Sequence, residues 1–331
     1  MNNVIRVIQF GLGPIGAAIA RHVVERPGLE LVGAVDIDPE KVGRDVGELI
    51  GLSEPLGVPV RRTLAEALSG ASADVAIHCT GSYFDLFKSQ IIELLEAGLD
   101  VVSTAEELSF PWLAHPEDAR EIDAVARRCG KSVLGTGVNP GFLMDTLPIT
   151  LTAICQAVDA VSVTRRIDAS RRRGPFQAKI GSGMSPEAFK AKMDEGRMGH
   201  VGLRESMDAV ADTLGRKLVR YETGVEPIIA EAPITTDYFS VAPGQVCGLK
   251  QVGRGFTEEG EFVTLTFIAA LNVEDECDII EIKGRPNLEV VLRGTNGDLA
   301  TVAIAVNAIQ RVREASPGLV TMRDLPPVHH W

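Results

Sequence analysis

The chain has 331 residues, 45% of them apolar, with 45 acidic against 33 basic side chains and a net charge of −12. That length suits two domains, and basic residues scattered among a larger number of acidic ones argue against a protein that grips nucleic acid. With no apolar stretch of membrane-spanning length, no secretory leader pattern, and five cysteines (Cys79, Cys129, Cys155, Cys247, Cys277) lacking any CxxC pair, the expectation is a cytoplasmic, metal-free protein without a disulfide framework.

The apolar run Val4 to Phe10 predicts a strand, and it leads into Gly11-Leu12-Gly13-Pro14-Ile15-Gly16. In a dinucleotide-binding turn the first glycine allows the bend, the second admits the pyrophosphate, and the third lets the helix pack on the strand. Pro14 falls where a helix starts and its missing N–H is no loss. Ile15, Ile19 and Val23 then recur at helical spacing, and a second strand, Leu31 to Val35, closes on Asp36. A carboxylate at that place accepts hydrogen bonds from ribose hydroxyls and repels a 2′-phosphate, so NAD is favoured, with NADP admitted if Arg44 folds back to meet the phosphate.

The next clear strand is Val75 to Cys79, followed by Thr80-Gly81-Ser82, and a helix through Leu86, Ile91 and Leu94 ends near Gly98. Val101-Val102 opens a further strand. Alternating strands and helices over this region predict a Rossmann-type, doubly wound parallel α/β sheet, whose strand ends face the cofactor. Three segments at such ends draw attention: 80–83, 103–110 and 135–142. Thr80, Gly81 and Ser82 suit a backbone-lined crossing under the cofactor, and Asn139 with Pro140 suits a nicotinamide contact, although the same dipeptide also marks a plain turn. Glu106 and Glu107 lie just past a strand end, where a carboxylate can pass protons and stabilise a cation. Spacing alone does not separate them; Glu106 is nearer the strand, and Glu107 suits a helix start.

From about residue 150 the pattern changes. Val263, Leu265 and Phe267 alternate with Thr264 and Thr266, which predicts a second, mostly antiparallel sheet. Ser185-Pro186 opens one helix, Leu203, Met207, Val210 and Leu214 stripe another up to Gly215, and Leu299, Val302, Val306 and Ile309 stripe a last one before Pro317-Gly318. The basic cluster Arg165, Arg166, Arg171, Arg172 and Arg173 is either a solvated strand end or a carboxylate clamp. Phe142, Met144, Tyr238 and Phe239 are either pocket walls or core.

The segments 101–111 (VVSTAEELSFP), 135–142 (GTGVNPGF), 167–183 (IDASRRRGPFQAKIGSG), 199–206 (GHVGLRES) and 317–326 (PGLVTMRDLP) resemble the 2,4-diaminopentanoate dehydrogenases, a family that includes the native amine dehydrogenases and is related to dihydrodipicolinate reductase. The resemblance implies NAD(P)-dependent oxidative deamination of an amine to the ketone plus ammonia. It implies a nucleotide-binding domain (1–145), an inserted α+β substrate domain (146–297) whose open sheet helps form a homodimer, and a segment (298–331) that returns to the first domain. It places the catalytic glutamate in the Glu106-Glu107 motif; His200 and Arg172, which fall inside the resembling segments, are candidates for the substrate pocket with Phe142, Met144 and Tyr238, the alternative for His200 being a structural role. Two alternatives remain: an imine reductase of the dihydrodipicolinate reductase kind, and a non-catalytic NAD-binding regulator. Against the first, the reductase's paired histidines have no counterpart here except His329 and His330 at the far end of the chain.

Overall fold

In the computed structural model, which describes residues 4–195 and 198–331, the opening apolar run forms β1 (Ile5–Phe10), buried at every residue but Arg6. A strand hidden on both faces needs parallel neighbours and helices on each side. The chain supplies them in order: α1 (Pro14–Glu25), β2 (Leu29–Val35), α2 (Val46–Leu49), β3 (Val60–Arg61), α3 (Leu64–Leu68), β4 (Val75–His78), α4 (Phe84–Glu96), β5 (Asp100–Ser103), α5 (Pro116–Cys129) and β6 (Ser132–Gly135). The sequence pattern passes from β2 to Val75 without a sign of β3, because a two-residue strand with one buried side chain, Val60, has no period to detect. The longer elements carry plain signals. α5, for instance, begins at Pro116 with Glu117 and Asp118 in its first turn and ends on Arg127, Arg128 and a left-handed Gly130, each favourable to its end of the helix dipole or its cap.

The chain next builds α6 (Thr146–Leu151), β7 (Ala157–Asp168), α7 (Gly174–Lys179), α8 (Pro186–Asp194), α9 (Leu203–Thr213), β8 (Arg220–Ile229), the short pair β9 (Ile234–Thr235) and β10 (Ser240–Val241), β11 (Val246–Thr257), β12 (Gly260–Ala270), β13 (Cys277–Arg285) and β14 (Leu288–Leu292). It then returns to the first sheet with α10 (Gly297–Glu314) and β15 (Gly318–Val320). Two units result, residues 4–142 with 296–331, and residues 143–295.

The first unit holds a seven-stranded sheet in the order β15-β6-β5-β4-β1-β2-β3, all of it parallel, which contains the Rossmann order with one strand added at the β6 edge. The predicted stripe of α10 needs one correction. Val302, Val306 and Ile309 are buried, whereas Leu299 is 70% exposed, because it lies in the first turn with its N–H taken by the Asn296 cap.

The second unit's six-stranded sheet runs β14-β13-β7-β12-β11-β8, antiparallel except where β7 and β12 meet at its centre. On one face, Val161, Val163, Val263, Leu265, Ile280 and Ile282 pack against Leu203, Met207 and Val210 of α9. The methionine of that stripe is therefore core. On the other face stand Ser162, Thr164, Thr264 and Thr266, and across β8 and β11 exposed Glu226 opposes Lys250 while Glu222 opposes Arg254.

Candidate active site

The glycine turn is built by close approach. A Cβ on Gly16 would sit 2.0 Å from the Gly11 carbonyl oxygen, so only glycine lets α1 start this near the strand end. A Cβ on Gly13 would meet no described atom within 4 Å, and Gly13 caps α1 without a side-chain hydrogen bond. The first N–H groups of α1 thus face a cradle with room for an anion, which fits a dinucleotide's pyrophosphate. Ile15 packs on the core beside them. Asp36 is oriented by its surroundings: Leu12 N–H donates to Oδ2 at 2.7 Å and Asp38 N–H to Oδ1 at 2.9 Å. Among the described residues Lys41 reaches Asp36, at 3.4 Å, while Arg44 is drawn to Glu48 and does not fold back to Asp36.

The two glutamates differ in what they hold. Glu107 Oε2 accepts from Phe84 N–H, the first residue of α4, at 2.7 Å, with His115 Nε2 3.6 Å away, and Glu107 N–H donates to the Ser82 carbonyl at 3.2 Å. Its carboxylate therefore serves the start of a helix, as an acidic group at a positive dipole end does. Glu106 is half-buried and begins a short 3-10 turn, 106–108, three residues past the end of β5.

A residue without a sequence motif of its own joins these segments. His78, the last residue of β4, is fully buried. Its Nε2 lies 2.8 Å from Gln90 Oε1 and 2.8 Å from Thr80 Oγ1, and the Thr80 hydroxyl donates to the same Gln90 oxygen at 2.5 Å. Gln90 Oε1 can only accept, so Nε2 carries the proton and Nδ1 accepts from the Ser103 hydroxyl at 2.9 Å; Ser103 in turn accepts from Ala105 N–H. The ring ties the loop 80–83 to the stretch that bears Glu106. Its one signal in the sequence is a histidine at the end of an apolar strand. Burial lowers its pKa from 6.5 to about 4 against a smaller opposing effect of the Gln90 hydrogen bond. The neutral ring thus contributes stability that is complete above pH 6.5 and is lost as pH falls toward 4, about 3 kcal/mol in all. In urea titrations between pH 7 and 4, His78→Gln is expected to flatten this part of the stability profile; an unchanged slope would show that His78 is not its source.

The loop after β6 is buried at Thr136, Asn139 and Pro140, with Phe142 half-buried, and α10 steadies it through Thr301, whose hydroxyl accepts from Val138 N–H at 3.4 Å. Thr80 is exposed and Gly81 and Ser82 half-buried beside it.

In the second unit, Met144 is fully buried among Val161, Val163 and Met207, a core position. Tyr238 is 60% exposed and Phe239 half-buried. His200 stacks on Phe267 at 4.9 Å, and Gln251 pins its backbone from both sides, accepting from His200 N–H at 2.6 Å and donating to its carbonyl at 3.0 Å. Phe176 and Lys179 line the same small recess, and the Arg172 guanidinium lies 4.5 Å over the Phe176 ring. The basic cluster separates. Arg171 is exposed, Arg166 lies 3.7 Å from Asp275 near the surface, and Arg173 precedes α7. Arg165 is only 2% exposed instead, its Nε 3.6 Å from Asp278, with Nε and one terminal nitrogen making no hydrogen bond among the described residues. Burial and nearby Arg172 lower its pKa while Asp278 opposes them. Among the described residues no group of histidine, cysteine or carboxylate side chains could hold a metal ion, and no helix is long and apolar enough to cross a membrane.

A glycine turn at the first strand of a parallel sheet, an acidic residue ending the second, and carboxylates at a later strand end define a nucleotide-dependent oxidoreductase. Residues 142–331 match the model of the 2,4-diaminopentanoate dehydrogenase C-terminal domain, and residues 5–104 match that of the dihydrodipicolinate reductase N-terminus. The 2,4-diaminopentanoate dehydrogenase of Acetoanaerobium sticklandii is 32% identical over 97% of this chain and 93% of its own, and an amine dehydrogenase of Streptomyces virginiae is 24% identical over 97% and 96%. The solved amine dehydrogenase of Mycobacterium smegmatis superposes with a TM-score of 0.86 at 28% identity, covering 99% of this chain and 97% of that one. The chain belongs to the 2,4-diaminopentanoate dehydrogenase family, and with that family it is an NAD(P)-dependent oxidoreductase acting on amine groups.

Proposed function

We propose that the protein catalyses the reversible oxidative deamination of a carboxylate-bearing amine such as 2,4-diaminopentanoate, with NAD preferred to NADP, as a cytoplasmic homodimer. The observation that carries the choice of substrate is Arg165. Its Nε lies 3.6 Å from Asp278 Oδ1, and one terminal nitrogen is kept out of water with no hydrogen-bond partner among the described residues, a state that costs about 1–3 kcal/mol and that the carboxylate of an arriving substrate would relieve. Asp36, aimed by two backbone N–H groups, supports the preference for NAD. The dimer reading rests on the open sheet face, where rows of Glu222, Glu226, Lys250 and Arg254 offer both signs of charge to a second copy.

A bound nicotinamide nucleotide supplies the hydride acceptor. The chain's own work is then to stabilise the iminium, to take a proton from the attacking water and to return one to the departing ammonia. Glu106 is the group assigned to these steps, since Glu107 is committed to α4. The loop Thr80–Ser82 and the Asn139-Pro140 turn are assigned to the nucleotide, and Arg172 and His200 to the pocket around the substrate.

The test is an assay of the purified protein with NAD or NADP on 2,4-diaminopentanoate and on short alkylamines, with the reverse reaction run on the ketone with and without ammonium. The diamino acid is expected to be turned over best, with higher efficiency on NAD, and the reverse reaction to require ammonium. Reduction of a ketone without ammonium would overturn the amine reading, and equal efficiency on plain alkylamines would overturn the carboxylate reading. Light scattering is expected to give twice the mass of one chain.

A further inference from the structure

The covered face of the second unit's sheet carries a polar row between two apolar clusters. The register sets Asp278 of β13, Arg165 of β7, Phe267 of β12 and Gln251 of β11 opposite one another, and residues paired in this way point to the same face. All four are buried. Two residues along the strands in one direction lie Ile280, Val163 and Leu265, and in the other Ile167, Ala269 and Leu249. The amide of Gln251 turns to the loop that precedes α9: Oε1 accepts from His200 N–H at 2.6 Å and Nε2 donates to the His200 carbonyl at 3.0 Å. A side chain thus does for residue 200 what a neighbouring strand does in a sheet, taking both of its backbone groups. The loop makes room for the amide at a glycine. Gly199 has φ 108°, and a Cβ there would stand 2.9 Å from Gln251 Oε1. The His200 ring then falls on Phe267, with 4.9 Å between centroids and 16° between planes, and Phe267 is the member of the row that separates Gln251 from Arg165.

We propose that Gln251 is a positioning residue of the substrate site: by holding the backbone of residue 200 from both sides it fixes the His200 ring over Phe267, on the side of the sheet where Arg165 is buried. The inference rests on the reading of Arg165 and His200 as groups that face the substrate. A histidine on a loop keeps its place only if the loop does, and a shift of about 1 Å in a group that contacts substrate is enough to spoil its fit. Stacking alone leaves the ring free to slide on Phe267, because ring contacts tolerate a range of offsets; two hydrogen bonds of fixed direction to the backbone remove that freedom. An amide suits the task for a second reason. It offers one acceptor and a donor to the two backbone groups, and it carries no charge that would compete with a substrate carboxylate for Arg165.

The experiment joins kinetics on 2,4-diaminopentanoate and calorimetry with NADH to NMR of the protein labelled at its histidines. The chain has six histidines, and the signal of His200 is the one that His200→Ala lacks. In the wild type the ring current of Phe267 shifts that signal upfield. Gln251→Met keeps the length of the side chain and removes both bonds. It is expected to move the His200 signal toward that of a solvated histidine, to raise the Michaelis constant for the amine by about tenfold and to leave NADH binding unchanged. Gln251→Glu still accepts from His200 N–H but cannot donate to its carbonyl, so it is expected to show both changes in smaller degree, and it carries the test if Gln251→Met does not fold. In the His200→Ala background Gln251→Met is expected to add nothing on the amine, since Gln251 acts through that ring. A His200 signal unmoved by Gln251→Met would overturn the proposal, and so would a loss on the amine that persists undiminished in the His200→Ala background. If His200→Ala itself leaves the Michaelis constant for the amine unchanged while Gln251→Met still moves the signal, the reading of His200 as a pocket residue fails and takes the effect on the amine with it, a result distinct from failure of the Gln251 contact.

Discussion

Glu106→Gln is expected to lower turnover of the amine by about 10²-fold or more while NADH binding stays at the wild-type level. The substitution keeps the shape of the side chain and removes the one property the chemistry needs, a carboxylate that can hold a proton and face a cation. The nucleotide contacts proposed for the glycine turn and Asp36 are not touched by the change. Glu107→Gln is the control. Its amide oxygen still accepts from Phe84 N–H, so activity should fall only a few-fold, with a loss of about 1 kcal/mol in stability as the charge at the start of α4 is removed. Steady-state kinetics with NADH titration check both. An active Glu106→Gln beside a dead Glu107→Gln would exchange the two roles, and full activity in both would remove the strand-end carboxylates from the mechanism.

The second large effect is expected at Arg165. Changing it to Met alone would leave Asp278 as an uncompensated buried carboxylate, which costs about 3–5 kcal/mol and risks the fold. The informative variant is therefore Arg165→Met with Asp278→Leu, which replaces the pair by apolar volume. For this double variant the Michaelis constant for 2,4-diaminopentanoate should rise by about 10²-fold, with that for a plain alkylamine nearly unchanged. Arg172→Ala should show the same selectivity to a smaller degree, since that guanidinium lies over Phe176 and is partly solvated. Parallel losses on both substrates would make Arg165 a structural residue of the sheet.

The parallel sheet was legible because its strands are buried on both faces and its helices carry start and stop residues at the right offsets, as at Pro14 and Gly98. The strand-end segments were found by the same logic, since a doubly wound sheet exposes function where its strands stop. What escaped the sequence depends on contacts between distant residues. The reading that favours Glu106 over Glu107 rests on an N–H of residue 84, and the different surroundings of Arg165 and Arg166 follow from the opposite faces of β7 that these neighbours occupy, with Asp278 of β13 opposite Arg165. His78 was invisible because nothing local marks a histidine whose partners lie 12 and 25 residues further along the chain. Tyr238 and Met144 could be pocket or core by composition, and only packing assigns the second to the core.

The return of α10 and β15 to the first sheet has a consequence for how the polypeptide is made. Residues 302, 305, 306, 308, 309 and 312 belong to the same core as the opening strand and α1, and β15 covers the edge of β6. A ribosome therefore releases the whole of residues 143–295, an uninterrupted stretch with its own sheet, before the material needed to finish the nucleotide-binding core exists. Until then Val7, Ile19 and Leu134 lack part of their covering, and the β6 edge presents unpaired backbone to other strands. The early half of the chain is in this sense a long-waiting client for chaperones, and stalled or shortened translation products are expected to be its most aggregation-prone forms.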